Sequence, residues 1–150
     1  MKAVVQRVKR ASVTVDQELT GAIDRGLLVF LGISKKDTKE SLEWLAEKII
    51  RLRIFPDEQG KMHYSVSDLQ LGVLVVSQFT LLADCSQGRR PDFFQAAEAS
   101  QAKPFYEEFI AILEKKLAYP VQRGVFGAKM EVELLNDGPV TLICEHEAER

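Results

Sequence analysis

Gly72-Val73-Leu74-Val75-Val76, running without a break into Ser77-Gln78-Phe79-Thr80-Leu81, is the stretch from which the fold is read. Five apolar or small residues in succession fit a strand covered on both faces, because a half-exposed strand alternates instead. A second dense apolar run, Leu27 to Ile33, reads as another central strand. Where the first run ends, two hydroxyls and an amide (Ser77, Thr80, Gln78) are polar groups at the end of a buried strand, and such groups need partners.

The next informative stretch lies downstream. Met130-Glu131-Val132-Glu133-Leu134-Leu135 alternates apolar and acidic residues, and Val140-Thr141-Leu142-Ile143-Cys144 is rich in β-branched residues, so both read as strands. Between them stands Asn136-Asp137-Gly138-Pro139. Asp-Gly between strands announces a tight hairpin, but a proline directly behind it has no N–H for the ladder. The segment is therefore expected to be a fixed kink with carbonyls turned away from the sheet. By itself, Asn136–Thr141 reads first as a connection with no chemistry.

Taken in order, Lys2–Arg10 and Ser12–Asp16 alternate as two strands, followed by turns at Gln17–Gly21 and Asp24–Gly26. Asp37 with Glu40 has the spacing of a capping box and opens a helix. Its Leu42, Leu45, Ala46, Ile49, Ile50 and Leu52 share one face. Trp44 lies off that face, either as a surface residue or as a contact with a partner chain. A second helix is expected over Ser100–Leu117, with Phe105, Phe109, Ile112 and Leu113 buried and Pro104 accommodated in the first turn. The polar stretch between, Asp84–Pro91, is loop-like. Its adjacent Arg89 and Arg90 are candidate phosphate contacts, as are Arg7, Lys9 and Lys129. Two helices and about seven strands in mixed order predict an α/β or α+β fold, one domain over 1–150.

Composition excludes several classes. With 46% apolar and 28% charged residues the chain has ordinary globular composition. No stretch approaches the roughly 18 apolar residues of a membrane helix, and the N-terminus lacks a signal-peptide pattern, so a cytoplasmic location is the default expectation. Cys85 and Cys144 lack metal-ligand spacing and are expected as free thiols. Two histidines, His63 and His146, stand far apart in polar surroundings, which argues against a zinc site or a histidine-based triad. No metal and no cofactor is expected. The net charge of −2 means that any positive surface for RNA must be gathered locally.

Ser77-Gln78-Phe79-Thr80-Leu81 and Gly138-Pro139-Val140-Thr141 together resemble the SQxTL and GPVT motifs of the D-aminoacyl-tRNA deacylase family. The similarity extends through Met1–Val8, Gly26–Val29, Gly88–Pro91 and Gly124–Ala128, and so covers nearly the whole chain. The resemblance implies mixed, largely antiparallel sheets rolled towards a barrel with two main helices outside. It implies a homodimer with active sites at the interface, and a cis bond before Pro139, the dipeptide of one subunit entering the pocket of the other. It implies catalytic roles for Thr80 and Gln78, and substrate contacts at Ser77, Phe79, Met130, Gly138 and Pro139. The substrate implied is tRNA carrying a D-amino acid.

The residues themselves bear on mechanism. A threonine nucleophile needs a base within reach, and none lies near Thr80 in sequence. Thr80 is read as positioning a substrate oxygen or a water with Gln78, while an esterase using Thr80 as nucleophile stays open. Two fixed carbonyls gripping the substrate ammonium would reject an L-residue by steric clash. Glycine has nothing to clash with, so glycyl-tRNA is expected to be cleaved too. A non-catalytic dimeric RNA-binding module is the remaining alternative.

Overall fold

The computed structural model describes residues 1–148. Its elements run β1 (Lys2–Val15), β2 (Glu18–Ile23), β3 (Gly26–Gly32), α1 (Lys39–Arg51), β4 (Phe55–Pro56), β5 (Met62–Tyr64), α2 (Val66–Leu69), β6 (Gly72–Ser77), α3 (Ala99–Leu117), β7 (Gln122–Arg123) and β8 (Glu131–Glu145). A 3-10 turn, Phe79–Leu82, follows β6.

The two strands expected before Asp16 are one, and the turn falls earlier than its sequence suggests. Asp16 and Gln17 both take positive φ, 49° and 68°, and Val15 pairs with Glu18. This is the two-residue hairpin whose twist suits the flanking strands. Its usual sign is a glycine, which Asp-Gln does not supply. The residues expected as turn, Glu18 to Gly21, are strand.

β1 organises the sheet. Lys2–Val8 pairs with β3 and Ala11–Val15 with β2, while β8 runs antiparallel along the opposite edge from Lys2 to Thr14. β3, β6 and β7 continue in parallel. The sheet curls until its end strands approach at Gly21 and Arg123. A Cβ on Gly21 would stand 2.5 Å from the Arg123 carbonyl, so only glycine allows this near closure. The fold is mixed, mostly antiparallel and rolled towards a barrel, as the resemblance implies.

Both faces of β3 and β6 are covered, as their apolar runs require. Leu27, Val29, Leu31, Val73 and Val75 meet the helices, whereas Leu28, Leu74 and Val76 turn inward against Val8, Ala11 and Val13. Each such side chain, fully buried, stabilises the fold by about 1.5–3 kcal/mol.

Helix α1 buries the expected Leu42, Leu45, Ala46, Ile49 and Ile50. Its cap differs: Thr38 is the N-cap, with its N–H donating to the Ser41 hydroxyl at 3.2 Å. Asp37 is drawn away by a stronger partner, the Met1 ammonium at 2.7 Å, buried on both sides, and it also accepts from the Ser34 N–H. Trp44 is 40% exposed and packs its ring 5.0 Å from that of His146. Helix α3 begins at Ala99, one residue before its expected start, so Pro104 lies in the second turn. There its missing N–H leaves the Ser100 carbonyl without an intrahelical donor. The buried stripe is Ala102, Tyr106, Phe109, Ile110, Leu113 and Leu117, with Phe105 and Ile112 at its half-buried margins.

Candidate active site

The ladder between β3 and β6 persists one residue past β6, where the Gln78 N–H donates to the Leu31 carbonyl at 2.8 Å. Gln78 then leaves extended geometry (φ −147°, ψ 79°) and the chain winds into the 3-10 turn. The Leu81 N–H donates to the Gln78 carbonyl and the Ala83 N–H to the Thr80 carbonyl. The first N–H groups of such a turn, those of Phe79 and Thr80, precede any partner inside it. Among the described residues neither has an acceptor, so both can serve a ligand.

Around this turn opens a cavity of about 520 Å³, lined by Ser77, Gln78, Phe79 and Met130 together with Val76, Val132, Phe126 and the small residues Ala97, Ala99 and Ala102. Four of the expected substrate and catalytic residues thus share one wall. Thr80 joins them through Gln78, whose amide donates to the Thr80 hydroxyl at 2.5 Å. Among the described residues that is the only side-chain hydrogen bond to Thr80. An amide is no base, so the arrangement favours positioning over attack.

Gly138-Pro139 lies elsewhere. Its peptide bond is cis and both residues are exposed. The two strands expected around it are a single strand, β8, interrupted where its register against β1 shifts between Gln6 and Arg10. No hairpin forms, because β8 keeps the same direction beside β1 on both sides of the interruption. Gly138 has φ 127°, a conformation open to glycine and strained for side-chain-bearing residues. Counted through the sheet, Ser77 at the cavity wall lies four rows along the strands from the dipeptide, ~13 Å at about 3.3 Å each, and three strands across, ~14 Å at about 4.8 Å each. Within one chain the dipeptide does not line it.

Side chains missed by sequence reasoning hold the interruption in place. Asn136 spans it, donating to the Thr141 hydroxyl at 2.9 Å and accepting from the Val140 N–H at 3.3 Å. The Gln6 amide also donates to Thr141, at 3.2 Å. Arg7, expected among the phosphate contacts, is instead 9% exposed. Its Nη1 donates to the Ile54 carbonyl at 2.6 Å and its Nε to the Asp137 carbonyl at 3.2 Å, with the Asp137 carboxylate 3.4 Å away. Its phase carries the signal: Arg7 follows Ala3 and Val5 on the helix-covered face of β1.

Arg89 and Arg90 are exposed on a loop closed by paired Asp84 and Asp92 backbones, with bonds of 2.7 and 2.9 Å, and they do not line the cavity. The Ser86 hydroxyl and N–H hold the Asp84 carboxyl below the ordinary carboxylate range. Cys85 and Cys144 are free thiols, and burial pushes that of Cys144 upwards.

Comparison with known proteins identifies the family. The sequence model described as D-Tyr-tRNA(Tyr) deacylase matches residues 4–145. The D-aminoacyl-tRNA deacylase of Dictyoglomus turgidum is 55% identical over 147 residues, which is 98% of this chain and 94% of that protein. Among solved structures, the c-Myc DNA Unwinding Element Binding Protein superposes with a TM-score of 0.92 at 49% identity, covering 99% of this chain and 100% of the other. A probable eukaryotic D-amino acid tRNA deacylase shares the fold, with a TM-score of 0.84 at 17% identity over 95% and 97% of the two chains. With its two motifs set on a strand end and a strand interruption, and with likeness running end to end, the chain belongs to the D-Tyr-tRNA(Tyr) deacylase family.

Proposed function

We propose that the chain is a D-aminoacyl-tRNA deacylase that releases D-amino acids, and glycine, from tRNA while sparing L-aminoacyl esters. The observation that carries this reading is the division of parts within one chain. The cavity holds Ser77, Gln78, Phe79 and Met130 but lacks Gly138-Pro139, which stands exposed at the interruption of β8. A two-fold pair of chains can exchange such parts reciprocally, each lending its dipeptide to the other's cavity. The reading therefore includes a homodimer.

In that arrangement the ester carbonyl lies over the N–H groups of Phe79 and Thr80, which stabilise charge developing on its oxygen. The Thr80 hydroxyl, oriented by Gln78, holds a water or a ribose oxygen. The ester is already activated and lies beside the 2′-hydroxyl of the terminal adenosine, so orientation supplies most of the acceleration and no side-chain base is needed. Carbonyls of the partner's dipeptide take the α-ammonium group. With ammonium and ester both fixed, an L-side chain runs into backbone and a D-side chain points outward. Arg89 and Arg90 serve the phosphates.

Glycine carries no side chain to exclude, so glycyl-tRNA is cleaved at a measurable rate. Release of glycine from glycyl-tRNA by the purified protein tests this; complete sparing of glycyl-tRNA beside cleavage of D-tyrosyl-tRNA contradicts the backbone filter. The name of the solved relative at 49% identity supports a second reading, nucleic-acid binding without turnover. Tight RNA binding with no ester cleavage would favour it.

A further inference from the structure

Outside the cavity, the described surface carries one unusual concentration of bare aromatic rings. Phe79 (55% exposed) stands at the cavity wall and meets Phe93 (37%) edge to face, with ring centres 5.2 Å apart. Phe94, next in the chain, is 69% exposed and carries the Lys35 ammonium 3.4 Å from its ring centre.

These rings are firmly mounted. The Phe94 N–H donates to the Asp92 carboxylate at 2.7 Å, the Asp84 and Asp92 backbones pair, and the Lys35 N–H donates to the Gln95 carbonyl at 3.0 Å. Asp84 and Asp92 each turn one carboxylate oxygen to an N–H inside the loop, that of Ser86 and of Phe94, and keep their negative charge. The exposed cations of this region are Lys35, which sits on the Phe94 ring, and Arg89 and Arg90 on the adjoining loop. Exposed aromatic faces interleaved with cations suit unpaired nucleotides, whose bases stack while their phosphates meet the cations.

We infer that Phe93 and Phe94, with Lys35 and the Arg89-Arg90 loop, form a stacking ledge for the unpaired 3′-terminal nucleotides of the RNA, continuous with the cavity through Phe79. The inference rests on the proposed tRNA substrate and adds to it a determinant outside the chemical site. Stacking is indifferent to base identity, so the ledge serves any tRNA ending in the same single strand.

The test uses the full-length protein and two uncharged RNA hairpins, one blunt and one with an unpaired CCA tail, with binding followed by fluorescence anisotropy. The tailed hairpin is expected to bind at least about fivefold tighter, the least that stacking on one ring is worth. Phe94→Ala and Phe93→Ala are each expected to erase most of the preference, and Phe94→Tyr to retain it. On D-tyrosyl-tRNA, Phe94→Ala is expected to raise KM about tenfold with kcat little changed, leaving cleavage of a D-aminoacyl-adenosine fragment unaffected. Equal binding of the two hairpins, or an unaltered preference in both alanine variants, overturns the ledge. A Phe94→Ala protein of halved mass in sedimentation overturns it too, since the face would then join two copies of the chain. Wild-type protein that prefers the tail yet cleaves no D-aminoacyl ester leaves the ledge standing and removes the proposed function instead.

Discussion

In the proposed reaction Thr80 positions rather than attacks. Its hydroxyl accepts one hydrogen bond from the Gln78 amide, and losing a neutral hydrogen bond costs about 0.5–1.5 kcal/mol. Thr80→Ala should therefore retain deacylation within roughly tenfold of wild type, as single-turnover release of D-tyrosine will show. A folded variant with no turnover, together with an acyl-enzyme trapped from wild type, would make Thr80 the nucleophile. Asp37 makes a different demand. It faces the buried Met1 ammonium at 2.7 Å, and removing one member of a buried ion pair costs about 3–5 kcal/mol. Denaturant melts of Asp37→Ala should show a loss of that order; an unchanged midpoint would mean that the ammonium finds water. These two residues also mark what the sequence discloses. Ser77, Gln78 and Thr80 were visible because polar residues ending an apolar run need partners. Asp37 reads as a cap in the sequence because its true partner, Met1, lies 36 residues away, and Arg7 reads as a phosphate contact because its acceptors, Ile54 and Asp137, are 47 and 130 residues away.

At the scale of elements, helix α3 is tied to the central strand by one buried hydroxyl. The Tyr106 O–H donates to the Val75 carbonyl at 3.2 Å. Burial pushes the Tyr106 hydroxyl up from 10.0 to about 12, the neighbouring Arg123 opposing and Glu107 assisting. The folded-state value is the raised one, so this contribution is complete below pH 10 and is lost as pH climbs from 10 towards 12. Tyr106→Phe should lose about 0.5–1.5 kcal/mol at neutral pH. Its stability should also fall less steeply than that of wild type between those limits, measured by urea unfolding at a series of alkaline pH values. Parallel curves for the two proteins would show that Tyr106 does not ionise in that window. Periodicity located α1 and α3 because each buries one regular face, and unbroken apolar runs located β3 and β6 because both their faces are covered. It divided β1 and β8 wrongly, since a hairpin turn without glycine and an interruption inside a continuous strand leave no break in the apolar pattern that matches the break in the backbone.

For the whole molecule, what local pattern cannot carry is pairing across distance. The β1–β8 ladder joins Lys2 to Glu145, and near closure at Gly21 and Arg123 joins the second strand to the seventh. Neither has a signature in neighbouring residues, and the barrel was anticipated through family likeness. The separation of Gly138-Pro139 from the cavity follows from that long-range register. In the proposed dimer it makes chirality a property of two chains, one bringing the ester-binding wall and the other the ammonium-binding carbonyls. The most direct test offers matched D- and L-tyrosyl-tRNA in one tube to the purified protein and follows released tyrosine of each hand over time. Rapid appearance of D-tyrosine with the L-ester intact is the predicted result; release of both at similar rates, or of neither, would contradict the account.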